Sequence, residues 1–69
     1  MSMLKINGVE RQYPDGLPAS LTSLMDQLHI NAATVVAEVD GSIVKRDDFS
    51  TTVLEHGQTI ELIRFVGGG

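Results

Sequence analysis

Only one segment of this chain has the periodicity of an α-helix, and this limits the folds that it can adopt. Four apolar side chains recur at positions i, i+3, i+4 and i+7, which places them on one face of a helix. They are Leu21, Leu24, Met25 and Leu28. Ser20 precedes them and is a good N-cap, because its hydroxyl can accept a hydrogen bond from a first-turn amide. The sequence therefore predicts one amphipathic helix that begins after Ser20.

Most of the remaining sequence consists of short segments with the patterns of β-strands, separated by turns. The predicted strands cover residues 3–7, 9–13, 34–39, 42–44 and 59–66. The dipeptides Asn7-Gly8 and Asp40-Gly41 favour tight hairpins, because both turn positions tolerate a positive φ angle. Residues 47–50 are expected to form one helical turn that directs Phe49 into the core.

The order of these elements predicts the fold class. It reads strand, strand, helix, strand, short strand, strand. A hairpin, a crossover helix and a final strand fit one mixed sheet of four to five strands with the helix on one face. This is an α+β fold of the β-grasp type. The alternative is a ferredoxin-like sandwich, but that fold needs a second full helix, and the sequence has a single segment with a helical period.

Size and charge narrow the possible functions. A domain of 69 residues builds a thin core with little room for a deep catalytic pocket, which favours a carrier or binding module over an enzyme. The net charge is −4, and Lys45-Arg46 is followed at once by Asp47-Asp48. Nucleic-acid binding depends on phosphate neutralisation by Lys and Arg, so it is not expected here. A basic protein partner fits the charge better.

Several other classes of site are not expected from this composition. The sequence has no cysteine, which excludes disulfides, cysteine-based zinc sites and thiolate catalysis. His29 and His56 lack the spacing of metal ligands, so no metal site is expected. No apolar run is long enough to span a bilayer, and residues 1–4 do not resemble a secretory signal. We therefore expect a cytoplasmic protein that does not bind membranes.

The C-terminal residues Phe65-Val66-Gly67-Gly68-Gly69 are the most unusual part of the chain. Glycine has maximal backbone freedom and no side chain to pack, so residues 67–69 are predicted to form a flexible tail after a domain of residues 1–66. With Val66 the tail reaches about 13 Å when extended, enough to thread a narrow channel in another protein. The alternatives are a remnant of an expression tag and a frayed end without a role.

Three segments carry a family resemblance: residues 38–46, 57–63 and 65–69. Together with the length and the strand order, they resemble the ubiquitin-like sulfur-carrier proteins of thiamin thiazole biosynthesis. A terminal Gly-Gly alone would be a weak signal, whereas the combination is specific. Gln58 stands where these relatives often have Asp, at a position expected to serve the turn and not the chemistry.

The resemblance implies a mechanism centred on the C-terminal carboxylate of Gly69. An activating adenylyltransferase would use ATP and magnesium to convert this carboxylate into an acyl adenylate. A persulfide derived from a cysteine desulfurase would then displace AMP and leave a thiocarboxylate, whose sulfur thiazole synthase takes into the thiazole ring. In this scheme the chain is a carrier that binds no cofactor itself, and it has no thiol that could compete for the activated carboxyl group.

The last predicted strand suggests a partner surface beside the tail. Side chains alternate between the two faces of a strand, so Ile60 and Leu62 share one face while Ile63 and Phe65 share the other. If the first pair faces the helix, the second pair and Val66 form an apolar patch on the open face of the sheet, which indicates a partner interface. The alternative is that a loop or local twist covers some of these side chains.

Other functions remain compatible with the same pattern. The small subunit of molybdopterin synthase uses similar terminal chemistry, but such subunits usually carry extra helical sequence. A ubiquitin-like modifier joined to lysines, and a β-grasp interaction module with an idle tail, are further alternatives.

Overall fold

The computed structural model describes residues 1–65, in which one α-helix packs against a five-stranded sheet. The strands are β1 (Ser2–Ile6), β2 (Val9–Tyr13), β3 (Val35–Val39), β4 (Ser42–Val44) and β5 (Thr59–Arg64), and the helix is α1 (Leu21–Gln27). Two short 3-10 segments, Ala32–Thr34 and Arg46–Asp48, precede β3 and follow β4. Each predicted element is present, but several bounds differ. Thr34 belongs to a 3-10 segment, Asn7 lies in the turn after β1, and Phe65 lies beyond the end of β5. The helical turn predicted for residues 47–50 is the 3-10 segment Arg46–Asp48.

The strand order across the sheet is β2-β1-β5-β3-β4. β1 and β5 are parallel, with Lys5 opposite Thr59 and Ile6 opposite Ile60, while the other neighbouring pairs are antiparallel. β5 is therefore the middle strand, and β3 also lies inside the sheet. This mixed sheet with one crossover helix confirms the predicted β-grasp fold and excludes the ferredoxin-like alternative.

The core lies between α1 and one face of the sheet. The helix contributes the buried side chains of Leu21, Leu24 and Met25, while Leu28 is partly buried. The sheet contributes a second set of buried side chains: Leu4, Ile6, Val35, Ala37, Ile60 and Leu62. Phe49 is only 3% exposed, so the predicted inward turn after β4 is confirmed.

The loop that carries Phe49 also completes the start of α1. The Ser20 hydroxyl accepts a hydrogen bond from the Ser23 amide at 3.2 Å, which confirms the predicted N-cap. The Leu21 amide donates to the Thr52 carbonyl at 3.0 Å, and the Thr22 amide donates to the Phe49 carbonyl at 3.2 Å. First-turn amides have no partner within a helix, so this loop satisfies them and joins the helix to the core.

Candidate functional site

The proposed reacting residue and its tail lie outside the described residues. Val66, Gly67, Gly68 and Gly69 are therefore not placed, and their roles stay predictions, as does the boundary between a domain of residues 1–66 and a tail. The structure does describe the residue before them. The Phe65 amide donates to the Thr34 carbonyl at 3.1 Å, which holds the chain against the start of β3 at the point where the tail begins.

The two faces of β5 differ in burial. Ile60 and Leu62 are buried beneath α1, whereas Ile63 is 50% exposed and the adjoining Phe65 is 47% exposed. This is the separation of faces that the alternation in the sequence predicts. The exposure makes Ile63 and Phe65 accessible to a partner, and their role as interface residues stays a prediction.

Two further apolar residues extend this exposed surface. Val36 lies opposite Ile63 in the register of β3 and β5, and Ile43 of β4, which is 70% exposed, lies opposite Glu38 on the same face. We refer to Val36, Ile43, Ile63 and Phe65 as the open-face patch. The sequence analysis did not identify Val36 or Ile43 as part of this surface. The signal was available for Val36, because it alternates with the buried Val35 and Ala37.

Two carboxylates lie next to each other on this same face of the sheet, one on β3 and one on β5. Glu38 and Glu61 are directly opposite each other in the register of β3 and β5, and both are half-buried. Like charges in this position destabilise a sheet. The open-face patch therefore surrounds a locally negative centre, which fits the basic protein partner expected from the net charge.

Asn7 has a second role that sequence reasoning did not identify. It occupies the predicted hairpin turn with φ 50°, and its side-chain amide also contacts β5. Asn7 Oδ1 accepts a hydrogen bond from the Leu62 amide at 2.8 Å, and Nδ2 lies 3.4 Å from the Leu62 carbonyl. β1 ends at Ile6, so it offers no further backbone partner to β5. The side-chain amide of Asn7 takes that place and bonds the backbone of Leu62 near the end of β5.

Both histidines lie in turns. His56 Nδ1 accepts a hydrogen bond from the Met3 amide at 3.0 Å, and His29 has φ 58° in the turn after α1. Among residues 1–65, no group of three His, Cys, Asp or Glu side chains could hold a metal ion. No helix in the same range has the length and apolar character needed to cross a membrane.

Comparisons with known proteins agree with the observed fold and with the resemblance of the sequence. The ThiS family matches residues 4–69. The crystal structure of a thiamine biosynthesis protein (ThiS) from Geobacter metallireducens is similar at a TM-score of 0.83 and 28% identity, covering 97% of this chain and 99% of that chain.

A solution structure of a thiamine biosynthesis protein from Geobacter metallireducens is similar at a TM-score of 0.77 and 28% identity, covering 97% of this chain and 87% of that chain. No curated protein sequence matches this chain. The family match begins within β1 and includes the helix, the other four strands and the terminal glycines. The chain therefore belongs to the ThiS family.

Proposed function

We propose that this chain is a sulfur carrier of thiamine biosynthesis that holds sulfur as a thiocarboxylate on Gly69. The observation that carries the proposal is the ThiS family match, which continues through the terminal glycines to residue 69. The β-grasp fold and the two similar structures of thiamine biosynthesis proteins support it.

The chemistry begins at the terminal carboxylate. An oxygen of Gly69 attacks the α-phosphate of ATP, with magnesium, on an activating adenylyltransferase, and pyrophosphate leaves. The resulting acyl adenylate is a mixed anhydride. A persulfide derived from a cysteine desulfurase attacks its carbonyl carbon and displaces AMP. A second thiol then cleaves the sulfur–sulfur bond, which leaves a thiocarboxylate on Gly69 and a disulfide on the donor.

This chain contributes the carboxyl group and its presentation. None of its 69 residues is a cysteine, so in this proposal every thiol comes from a partner. The glycines lack Cβ atoms, which suits a narrow channel leading to the active site of the partner. β5 pairs with β3 and is hydrogen-bonded to the Asn7 side chain, and the Phe65 amide donates to the Thr34 carbonyl, so the last described residues are anchored to the domain.

The partners proposed on this basis are the adenylyltransferase, the persulfide donor and thiazole synthase. The open-face patch is the proposed contact surface, because its apolar side chains share one face of the sheet with Phe65, the last described residue. In this proposal ATP and magnesium are bound by the adenylyltransferase, and the chain itself is a carrier that binds no cofactor.

The test is reconstitution with the adenylyltransferase, ATP, magnesium and a persulfide donor, followed by intact mass measurement. Exchange of one oxygen for sulfur at the C-terminus is expected. Two controls keep the domain and change the terminus: a chain lacking Gly69 and a chain extended beyond it, neither of which should be loaded. Normal loading of the extended chain without trimming would refute the proposal.

A second step identifies the pathway. The loaded chain should support thiazole formation with thiazole synthase and should not convert precursor to molybdopterin with the large subunit of molybdopterin synthase. The opposite result would move the chain to the molybdopterin pathway while leaving the thiocarboxylate chemistry in place.

A further inference from the structure

A cleft of about 490 Å³ lies at the end of β5, and of its lining residues only Phe65 belongs to the open-face patch. It lies between the connection from α1 to β3 and the end of β5. Its lining residues are His29, Asn31, Ala33, Thr34, Arg64 and Phe65. We refer to it as the tail-root cleft. Phe65 is followed by Val66 and the three terminal glycines. A protein that binds these four residues is therefore expected to contact the domain near this cleft.

Two polar side chains of the tail-root cleft, Arg64 and Asn31, offer hydrogen-bond donors. Asn31 Oδ1 accepts from the Ala33 amide at 2.9 Å, which leaves the Nδ2 group as the donor of this side chain. The Thr34 hydroxyl donates to the Asn31 carbonyl at 2.7 Å, and the Thr34 carbonyl accepts from the Phe65 amide at 3.1 Å. The Asn31 Oδ1 atom and the carbonyl oxygens of Asn31 and Thr34 therefore each accept a hydrogen bond within the protein, while the Thr34 hydroxyl has used its only proton and can act only as an acceptor.

The charge of the cleft is opposite to that of the chain. Arg64 and His29 are both exposed there, and no carboxylate of residues 1–65 lines the cleft, although the chain carries a net charge of −4. A guanidinium group presents a planar set of N–H donors that matches a carboxylate in a two-point contact. The apolar atoms of Ala33 and Phe65 beside it reduce access of water once a partner covers the cleft.

The cleft and the open-face patch share Phe65, but the neighbouring residues of β5 that they use lie on opposite faces of the sheet. Arg64 follows the alternation of the buried Ile60 and Leu62, which places it on the helix side of the sheet, whereas Ile63 belongs to the opposite face. A partner that contacts both surfaces encloses the end of β5 from two sides. Such an arrangement would fix the direction in which the tail leaves the domain.

We propose that the tail-root cleft receives the carboxylate of an acidic side chain on the adenylyltransferase, with Arg64 as the main contact. This inference rests on the proposed function, because it assumes that partner. Arg64 is a binding and specificity residue in this role and takes no part in the reaction at Gly69.

The test compares two arginines in the same chain. Arg64→Gln and Arg64→Glu change the cleft, whereas Arg11→Gln and Arg11→Glu make the same charge changes at an exposed position on the edge strand β2. The Kd for the adenylyltransferase is measured by calorimetry with and without ATP, and KM and kcat are measured for sulfur loading. Thermal unfolding checks that each variant folds.

We expect Arg64→Gln to raise both Kd and KM by about tenfold, the effect of losing one charge-assisted hydrogen bond, and Arg64→Glu to raise them further. The kcat should stay within about twofold of the original value, since the domain still delivers the same terminus. The Arg11 variants should bind and load as the unchanged chain does.

Three results would overturn the inference. Equal weakening by the Arg11 variants would indicate general electrostatic attraction, and an unchanged Kd in the Arg64 variants would exclude the contact. A dependence on Arg64 that appears only with ATP would assign the anion to a nucleotide phosphate. Failure of the unchanged chain to load sulfur would refute the proposed function, while the Kd without ATP would still decide the role of the cleft.

Discussion

Asn7 contributes to stability in two ways: its side chain contacts Leu62 of β5, and its backbone adopts the positive φ angle of the hairpin turn. Two substitutions separate these contributions. Asn7→Gly keeps the positive φ angle of 50° accessible but removes both side-chain contacts with Leu62. Leu62 is buried, so its amide would lose a partner without full access to water. Loss of the 2.8 Å hydrogen bond should lower the free energy of unfolding by about 1.5 kcal/mol. The 3.4 Å contact lies beyond ordinary hydrogen-bond length and adds little.

Asn7→Ala should cost more than Asn7→Gly. It removes the same contacts and also places a Cβ atom at a positive φ, which costs about 1 kcal/mol more. The total loss of about 2.5 kcal/mol compares with an expected stability of about 3–10 kcal/mol for a domain of 69 residues. The melting temperature of Asn7→Ala should therefore fall by about 10 °C or more.

Urea unfolding followed by circular dichroism measures these differences directly, provided that the m value stays constant. Two results would refute the reasoning. If Asn7→Gly is as stable as the unchanged chain, the amide contacts with Leu62 contribute nothing. If Asn7→Ala is no less stable than Asn7→Gly, the residue does not require the positive φ of the hairpin.

Three more predictions follow from the helix cap, the two faces of β5 and the carboxylate pair. Ser20→Ala should lower the free energy of unfolding by about 1 kcal/mol in urea, through loss of the hydrogen bond to the Ser23 amide, and no change would mean that the cap is dispensable. Ile60→Asp should unfold the domain, whereas Ile63→Asp should leave the melting temperature unchanged and raise the KM for sulfur loading. If Ile63→Asp also unfolds the domain, the Ile63 side chain belongs to the core. Glu61→Gln should raise the free energy of unfolding by about 0.5 kcal/mol at low salt, because it removes the repulsion from Glu38. The gain should be smaller at high salt, and a loss of stability would refute the like-charge argument.

The local elements could be predicted from the sequence because each depends on residues that are close together in the chain. The helix follows from apolar side chains spaced over two turns, beginning at Leu21, and the first hairpin follows from Asn7-Gly8. The alternation along β5 also placed Ile60 and Ile63 on opposite faces, and the structure then showed that the face of Ile60 is the buried one. These features depend only on local backbone geometry and on the polarity of neighbouring side chains.

The contacts that surround the root of the tail depended on the tertiary structure. Asn7 and Leu62 are 55 positions apart, and neither residue type indicates the other as a partner. The opposition of Glu38 and Glu61 follows from the register of β3 and β5, which forms when both strands bury their apolar faces against α1. Arg64 meets His29 at one cleft for the same reason, because packing of the helix on the sheet brings the turn after α1 to the end of β5. Each of these contacts joins distant segments, so their positions are set by the packing of the whole domain and not by local sequence.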